Sequence, residues 1–172
     1  MPTLVKDEKG LLSNLAAQFV KNGQKVLELG CEDTGLEKAL PEFCKYTFCR
    51  SLELNLDYKF NKETFSKDAV EADLIVALEV IEYLSDPISF LKEIRSYNRP
   101  LLISYDVKGV CEDKKRKNYF SEQELAQMFQ KAGFTNKTGV RADQLSSSLY
   151  LFEPQQSVIR KKIKEVVVVS FY

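Results

Sequence analysis

Gly30, Glu32 and Gly35, in the stretch KVLELGCEDTGLEKAL (25 to 40), fall at the spacing of G-x-G-x-x-G, the turn that leads a strand into a helix and offers backbone to a ligand. In a dinucleotide site the second glycine lets the backbone approach a pyrophosphate. Here that place holds Glu32, with Asp33 beside it, and carboxylates meet phosphate with like charge. They also offset the preference for anions that a helix N-terminus otherwise has. A turn of this composition suits a ligand with a cationic group; the alternative is a turn that only shapes the chain.

The absent residue types narrow the chemistry further. The chain has no histidine, which removes the commonest general base and excludes Ser-His-Asp and Cys-His hydrolysis. Any base must be a carboxylate, a tyrosine, a lysine or water. Cys31, Cys44, Cys49 and Cys111 form no C-x-x-C pair, so no metal site is expected and the thiols read as reduced and cytoplasmic. Lysine and arginine together number 25, as do aspartate and glutamate, so the overall charge asks for neither nucleic acid nor an anionic membrane. A small molecule is the expected partner. Apolar runs such as LIVAL (74 to 78) are far shorter than the roughly 20 residues of a membrane span.

The elements that must position these residues alternate in type. DEKGLLSNLAAQFVKNG (7 to 23) sets Leu11, Leu12, Leu15, Phe19 and Val20 on one helical stripe, with Gly23 placed to end it. KVLELG is a short apolar strand, and the helix begun by TGLEKAL is broken or ended at Pro41. KYTFCRSLEL (45 to 54) alternates as a second strand, while ADLIVALEV (72 to 80) has the continuous apolar run of a strand covered on both faces. Asp86 and Pro87 open a helix carrying Ile88, Leu91 and Ile94, RPLLISYDV is a further buried strand, and Ser121 with Glu124 forms a capping box for a helix stopped by Gly133. FTNKTGVRAD and SSSLYLFEP then read as an antiparallel pair. This order predicts an α/β fold, a mostly parallel sheet with helices on both faces, whose ligand binds beyond the carboxyl ends of the strands where strand order reverses. Between Leu54 and Ala72 the chain is too short for a full helix, strand, helix passage, so an element is expected to be missing or reduced, with LDYKF a candidate short strand.

Two stretches resemble the class I S-adenosylmethionine-dependent methyltransferases. VLELGCEDTGLEKAL looks like their first motif, V-L-D/E-L-G-C-G-x-G-x-L, and ADLIVALEVIEYLSDPISFLKEI like their fourth-strand motif, D-L-V-x-x-x-E-V-L-E-H-L-x-D-P. The resemblance extends over about residues 8 to 153 and implies a Rossmann-like sandwich, reduced between its second and fourth strands, in a domain of residues 1 to 153. It also implies S-adenosylmethionine as cofactor, which carries an ammonium and a sulfonium and no phosphate. Position by position, Glu28, Gly30 and Cys31 would lie beside the methionine portion of the cofactor, with Glu32 and Gly35 in the same turn. Glu53 would accept hydrogen bonds from the ribose, unless Arg50 or Ser51 holds that place, and Glu79 would face the cofactor from the end of the fourth strand. The chain departs from the pattern where Glu32 and Thr34 replace glycines and where Tyr83 stands in place of a frequent histidine.

Tyr83, Tyr105 and Asp106 are the candidates for proton handling, against a packing role for the two tyrosines, and Glu79 and Glu82 read either as functional or as solvated residues after a strand. KKRK (114 to 117) reads as a solvated loop more readily than as a phosphate clamp. Residues 154 to 172 change character: EPQQS reads as a linker, and VVVVSFY resembles the first strand of polysaccharide pyruvyltransferases, implying a second enzyme domain in a longer chain. The expected activity is methyl transfer to oxygen or nitrogen of a small-molecule or sugar-like acceptor. The alternative is a degenerate binding or assembly module attached to a polysaccharide-modifying enzyme; a nicotinamide dehydrogenase is disfavoured by the acidic turn.

Overall fold

Four strands, β1 (Lys25–Leu29), β2 (Lys45–Cys49), β3 (Leu74–Ala77) and β4 (Leu101–Tyr105), run parallel, and β5 (Phe134–Arg141) and β6 (Ser148–Pro154) close the sheet as an antiparallel pair, in the order β2-β1-β3-β4-β6-β5. The computed structural model describes residues 8–30, 35–49, 62–106, 115–141, 145 and 147–155, and six strands are found among these. The expectations for Cys31, Glu32, Thr34, Glu53, the LDYKF strand and the tail beyond residue 155 lie outside them.

The apolar run LIVA forms β3 with every residue buried, as a strand covered on both faces requires. Alternation along the strands divides the core in two. Leu27, Leu29, Ile75, Ala77, Leu101 and Ile103 pack on one face against α3 (Lys62–Glu71), α4 (Pro87–Ser96) and α5 (Glu122–Lys131). Val26, Leu74, Val76 and Leu102 pack on the other against α1 (Glu8–Ala17) and α2 (Gly35–Ala39). Because α2 leads from β1 to β2 on one face while α3 returns from β2 to β3 on the opposite face, strand order reverses between β1 and β3. The carboxyl ends of those two strands therefore flank a crevice.

The helix boundaries follow local chemistry. Asp86 caps α4 by accepting from the Ser89 N–H at 3.0 Å, with Pro87 in the first turn. Ser121 and Glu124 form the expected capping box on α5, and Gly133 takes φ +89° just beyond its end. Two expectations need correction. The first helix stops at Ala17, not at Gly23, and the chain continues through tighter turns in which the N–H groups of Gln18, Phe19 and Val20 donate to the carbonyls three residues back. Its buried stripe is Leu12, Ala16 and Val20, leaving Leu11 exposed. The stretch read as a linker at EPQQS begins inside the sheet: Pro154 ends β6, and the Gln155 N–H donates to Gly133 O at 2.9 Å.

The reduced passage before β3 retains a helical crossover, since α3 is present and its Ala69 is fully buried. Among the described residues no helix is long and apolar enough to cross a membrane.

Candidate functional site

At the switch point the backbone takes two unusual turns. Gly30 follows β1 with φ +80°, a conformation that costs glycine little and any other residue more. Glu79 follows β3 with φ +53° despite its side chain, and its N–H donates to Ser104 Oγ at 2.7 Å. A non-glycine residue in this region is a strain of about 1 to 3 kcal/mol held in place by its surroundings. Glu28, one residue before the end of β1, is buried, and Tyr46 Oη on β2 donates to its Oε2 at 2.5 Å. Glu28, Gly30 and Glu79 thus lie at the ends of neighbouring strands, while Gly35 opens α2.

Beyond β3 a 3-10 turn, Ile81–Tyr83, brings Glu82 over the end of β4. Glu82 is 3% exposed, and its Oε1 accepts from the Asp106 N–H at 3.1 Å. Its Oε2 is shielded from solvent and has no hydrogen-bond partner among the described residues. Burial, assisted by the nearby charge of Glu79 and opposed by backbone hydrogen bonds and by Arg116, pushes this carboxyl up from 4.5 to about 7. Tyr83, the third residue of the turn, is half-buried.

Asp106 and Tyr105 are committed to structure. Arg116 Nη1 donates to Asp106 Oδ2 at 2.9 Å and Nη2 to the Asp106 carbonyl at 2.5 Å, in an ion pair whose side chains are 2% and 5% exposed. The Tyr105 hydroxyl accepts from the Phe120 N–H at 2.6 Å and donates to Asn118 O at 3.1 Å, inside a fully buried ring position. Tyr105 therefore takes the packing role weighed for it from the sequence, and Asp106 is the partner of a buried guanidinium. The reading of KKRK as a solvated loop is corrected at Arg116, which is 7% exposed, sits 5.2 Å over the Tyr105 ring and 4.8 Å over Tyr119, and donates from Nε to Asn118 O at 2.8 Å. Its neighbour Lys117 remains at the surface, bonded to Ser85 Oγ at 2.6 Å.

This segment staples the 3-10 turn. The N–H groups of Lys117 and Asn118 both donate to the Glu82 carbonyl, at 2.8 and 3.0 Å, and Asn118 Nδ2 donates to the carbonyls of Ile81 and Leu84, at 2.8 and 2.7 Å. Sequence reasoning left Glu82 undecided and missed Arg116 and Asn118. The flanking Ile81 and Leu84, both buried, were a signal that Glu82 goes inward. Nothing in a basic run signals which residue will be buried.

Glu28 and Glu79 place carboxylates at this edge, and the one buried guanidinium described there is spent on Asp106. Such a donor set fits a ligand with ammonium and sulfonium groups and repels phosphate. The three-dimensional comparisons agree in fold. The chain is similar to the mitomycin 7-O-methyltransferase MmcR, at 12% identity and TM-score 0.59 over 85% of this chain and 54% of that one. It is similar to the pyocyanin biosynthetic protein PhzM, at 10% identity and TM-score 0.61 over 85% of this chain and 55% of that one. A third neighbour is the magnesium protoporphyrin IX methyltransferase ChlM of Synechocystis PCC 6803, solved with S-adenosylhomocysteine, at 13% identity and TM-score 0.52 over 86% of this chain and 81% of that one. The chain spans just over half the length of the first two. No family model and no curated protein matches the sequence, and the comparisons lend no support to a pyruvyltransferase tail. The fold is the Rossmann-like sandwich of the class I methyltransferases.

Proposed function

We propose that the protein binds S-adenosylmethionine at the β1/β3 switch point and transfers its methyl group to an oxygen or nitrogen of a small-molecule acceptor. The observation that carries this reading is the methyltransferase-like fold with Gly30 at φ +80° after β1, Glu28 near the end of β1 bonded by Tyr46, and Glu79 just after β3. When bound, the cofactor supplies a methyl group already activated on a sulfonium. The chain's own part is then mainly to hold the partners in line, which can supply roughly 7 to 11 kcal/mol of the barrier. Glu28 and Glu79 would hold the cationic groups, and Glu53, outside the described residues, would take the ribose.

A second reading, a binding module without methyl transfer, is favoured by the commitment of Tyr105 and Asp106 to packing. Isothermal titration of S-adenosylmethionine and S-adenosylhomocysteine into the protein and into Gly30→Arg separates them. Micromolar binding that the substitution abolishes supports the methyltransferase site. No heat at millimolar ligand overturns cofactor binding and leaves the module.

A further inference from the structure

The ladder between β3 and β4 ends on a side chain. Its register pairs Ile75 with Leu101, Val76 with Leu102 and Ala77 with Ile103, and the Ile75 N–H donates to Pro100 O at 3.0 Å. Parallel ladders advance two residues per bond, so in this register the Glu79 N–H would meet the Ser104 carbonyl. It goes instead to the hydroxyl of the same residue, Ser104 Oγ, at 2.7 Å, and residue 79 takes φ +53°. Ser104 is fully buried within β4. A hydroxyl in that place is costly without a partner, and the one it has is the amide of the residue that leaves the neighbouring strand.

The left-handed residue breaks the alternation of β3. Ile75 and Ala77 belong to the core against α3, α4 and α5, and Leu78 packs on the opposite face, so an extended residue 79 would turn its side chain into the first core. Val80 takes that place, 4% exposed, and Glu79 stays exposed at the edge. On β1, Leu29 lies opposite Ala77, so the left-handed Gly30 falls level with Leu78, one residue before Glu79. We propose that Ser104 is a positioning residue for the cofactor: by accepting the Glu79 N–H in place of the ladder carbonyl it holds residue 79 left-handed, and so keeps the Glu79 carboxylate at the β1/β3 edge, where it binds a cationic group of S-adenosylmethionine. Without the hydroxyl, the strain at residue 79 loses the bond that holds it, and the carbonyl of residue 104 becomes the acceptor that draws residue 79 toward the extended form. The proposal rests on the cofactor-binding reading.

Calorimetric titration of S-adenosylmethionine into wild type, Ser104→Ala, Glu79→Gln and the double variant separates this role from a merely structural one. Ser104→Ala is expected to weaken binding by roughly fivefold or more, as one hydrogen bond left unmade would. Glu79→Gln is also expected to bind more weakly than wild type, and in its background Ser104→Ala is expected to cost less than about twofold, because the two residues act through one carboxylate. Ser104→Ala that binds like wild type, Glu79→Gln that binds like wild type, or a Ser104→Ala loss equal in both backgrounds overturns the proposal alone. Wild type that binds no S-adenosylmethionine overturns the cofactor reading and the proposal with it. Should Ser104→Ala fail to fold, Ser104→Cys takes its place in the same cycle with the same expected pattern, since its sulfur fills the position but accepts weakly.

Discussion

Glu82→Gln tests the buried acid through stability, without any ligand. An acid whose folded value is raised holds its proton in the folded state where the unfolded chain has lost it. Its contribution is therefore fully present below the unfolded value of 4.5, falls as pH rises through the window up to about 7, and is flat above. Each unit of that window costs about 1.4 kcal/mol, so the whole window costs roughly 3 kcal/mol, of which roughly 2 to 3 lies between pH 5 and 8. Glutamine keeps the oxygen that accepts the Asp106 N–H but places an amide nitrogen where Oε2 has no partner. That penalty is about 1 to 3 kcal/mol and does not vary with pH. The variant is thus expected to be the less stable protein at pH 5 and to match or exceed wild type at pH 8. Urea unfolding followed by circular dichroism at several pH values between these limits gives the difference directly. Two stability curves that run parallel across the range would refute the raised carboxyl.

Other substitutions probe the surroundings. Arg116→Met leaves the Asp106 carboxylate buried without its guanidinium and is expected to lose about 3 to 5 kcal/mol by urea unfolding, with most of the loss restored in the double variant that also carries Asp106→Asn. Asn118→Ala frees the carbonyls of Ile81 and Leu84 and should cost roughly 1 to 3 kcal/mol, with faster amide exchange in the 81–84 turn and little change in α5. Ser121→Ala removes half of the capping box and should cost about 1 kcal/mol near neutral pH, read as a small fall in melting temperature.

The layout of the fold was legible because its signals are local. The apolar run of β3, the cap and proline of α4, the capping box of α5 and the paired strands at the end each depend on residues a few positions apart, and the structure forms all of them. The glycine and the carboxylates of the β1 and β3 turns could be placed at one edge from the alternation of strands and helices alone. Helix length was less legible, since the apolar stripe of α1 continues past Ala17 into turns whose hydrogen bonds tighten, and periodicity does not register that change.

The sequence by itself determined the order of elements, the acidic character of the switch point and the absence of histidine, all properties of residue type and short spacing. Only the tertiary structure decided which charges are buried. Asp106, Arg116 and Asn118 are separated from Glu82 by more than a helix and a strand, and their hydrogen bonds exist because α4 folds the chain back and brings the end of β4 under the 3-10 turn. Desolvation depends on everything that surrounds a side chain, and that sum of long-range contacts makes Glu82 a buried acid and Tyr105 a packing residue.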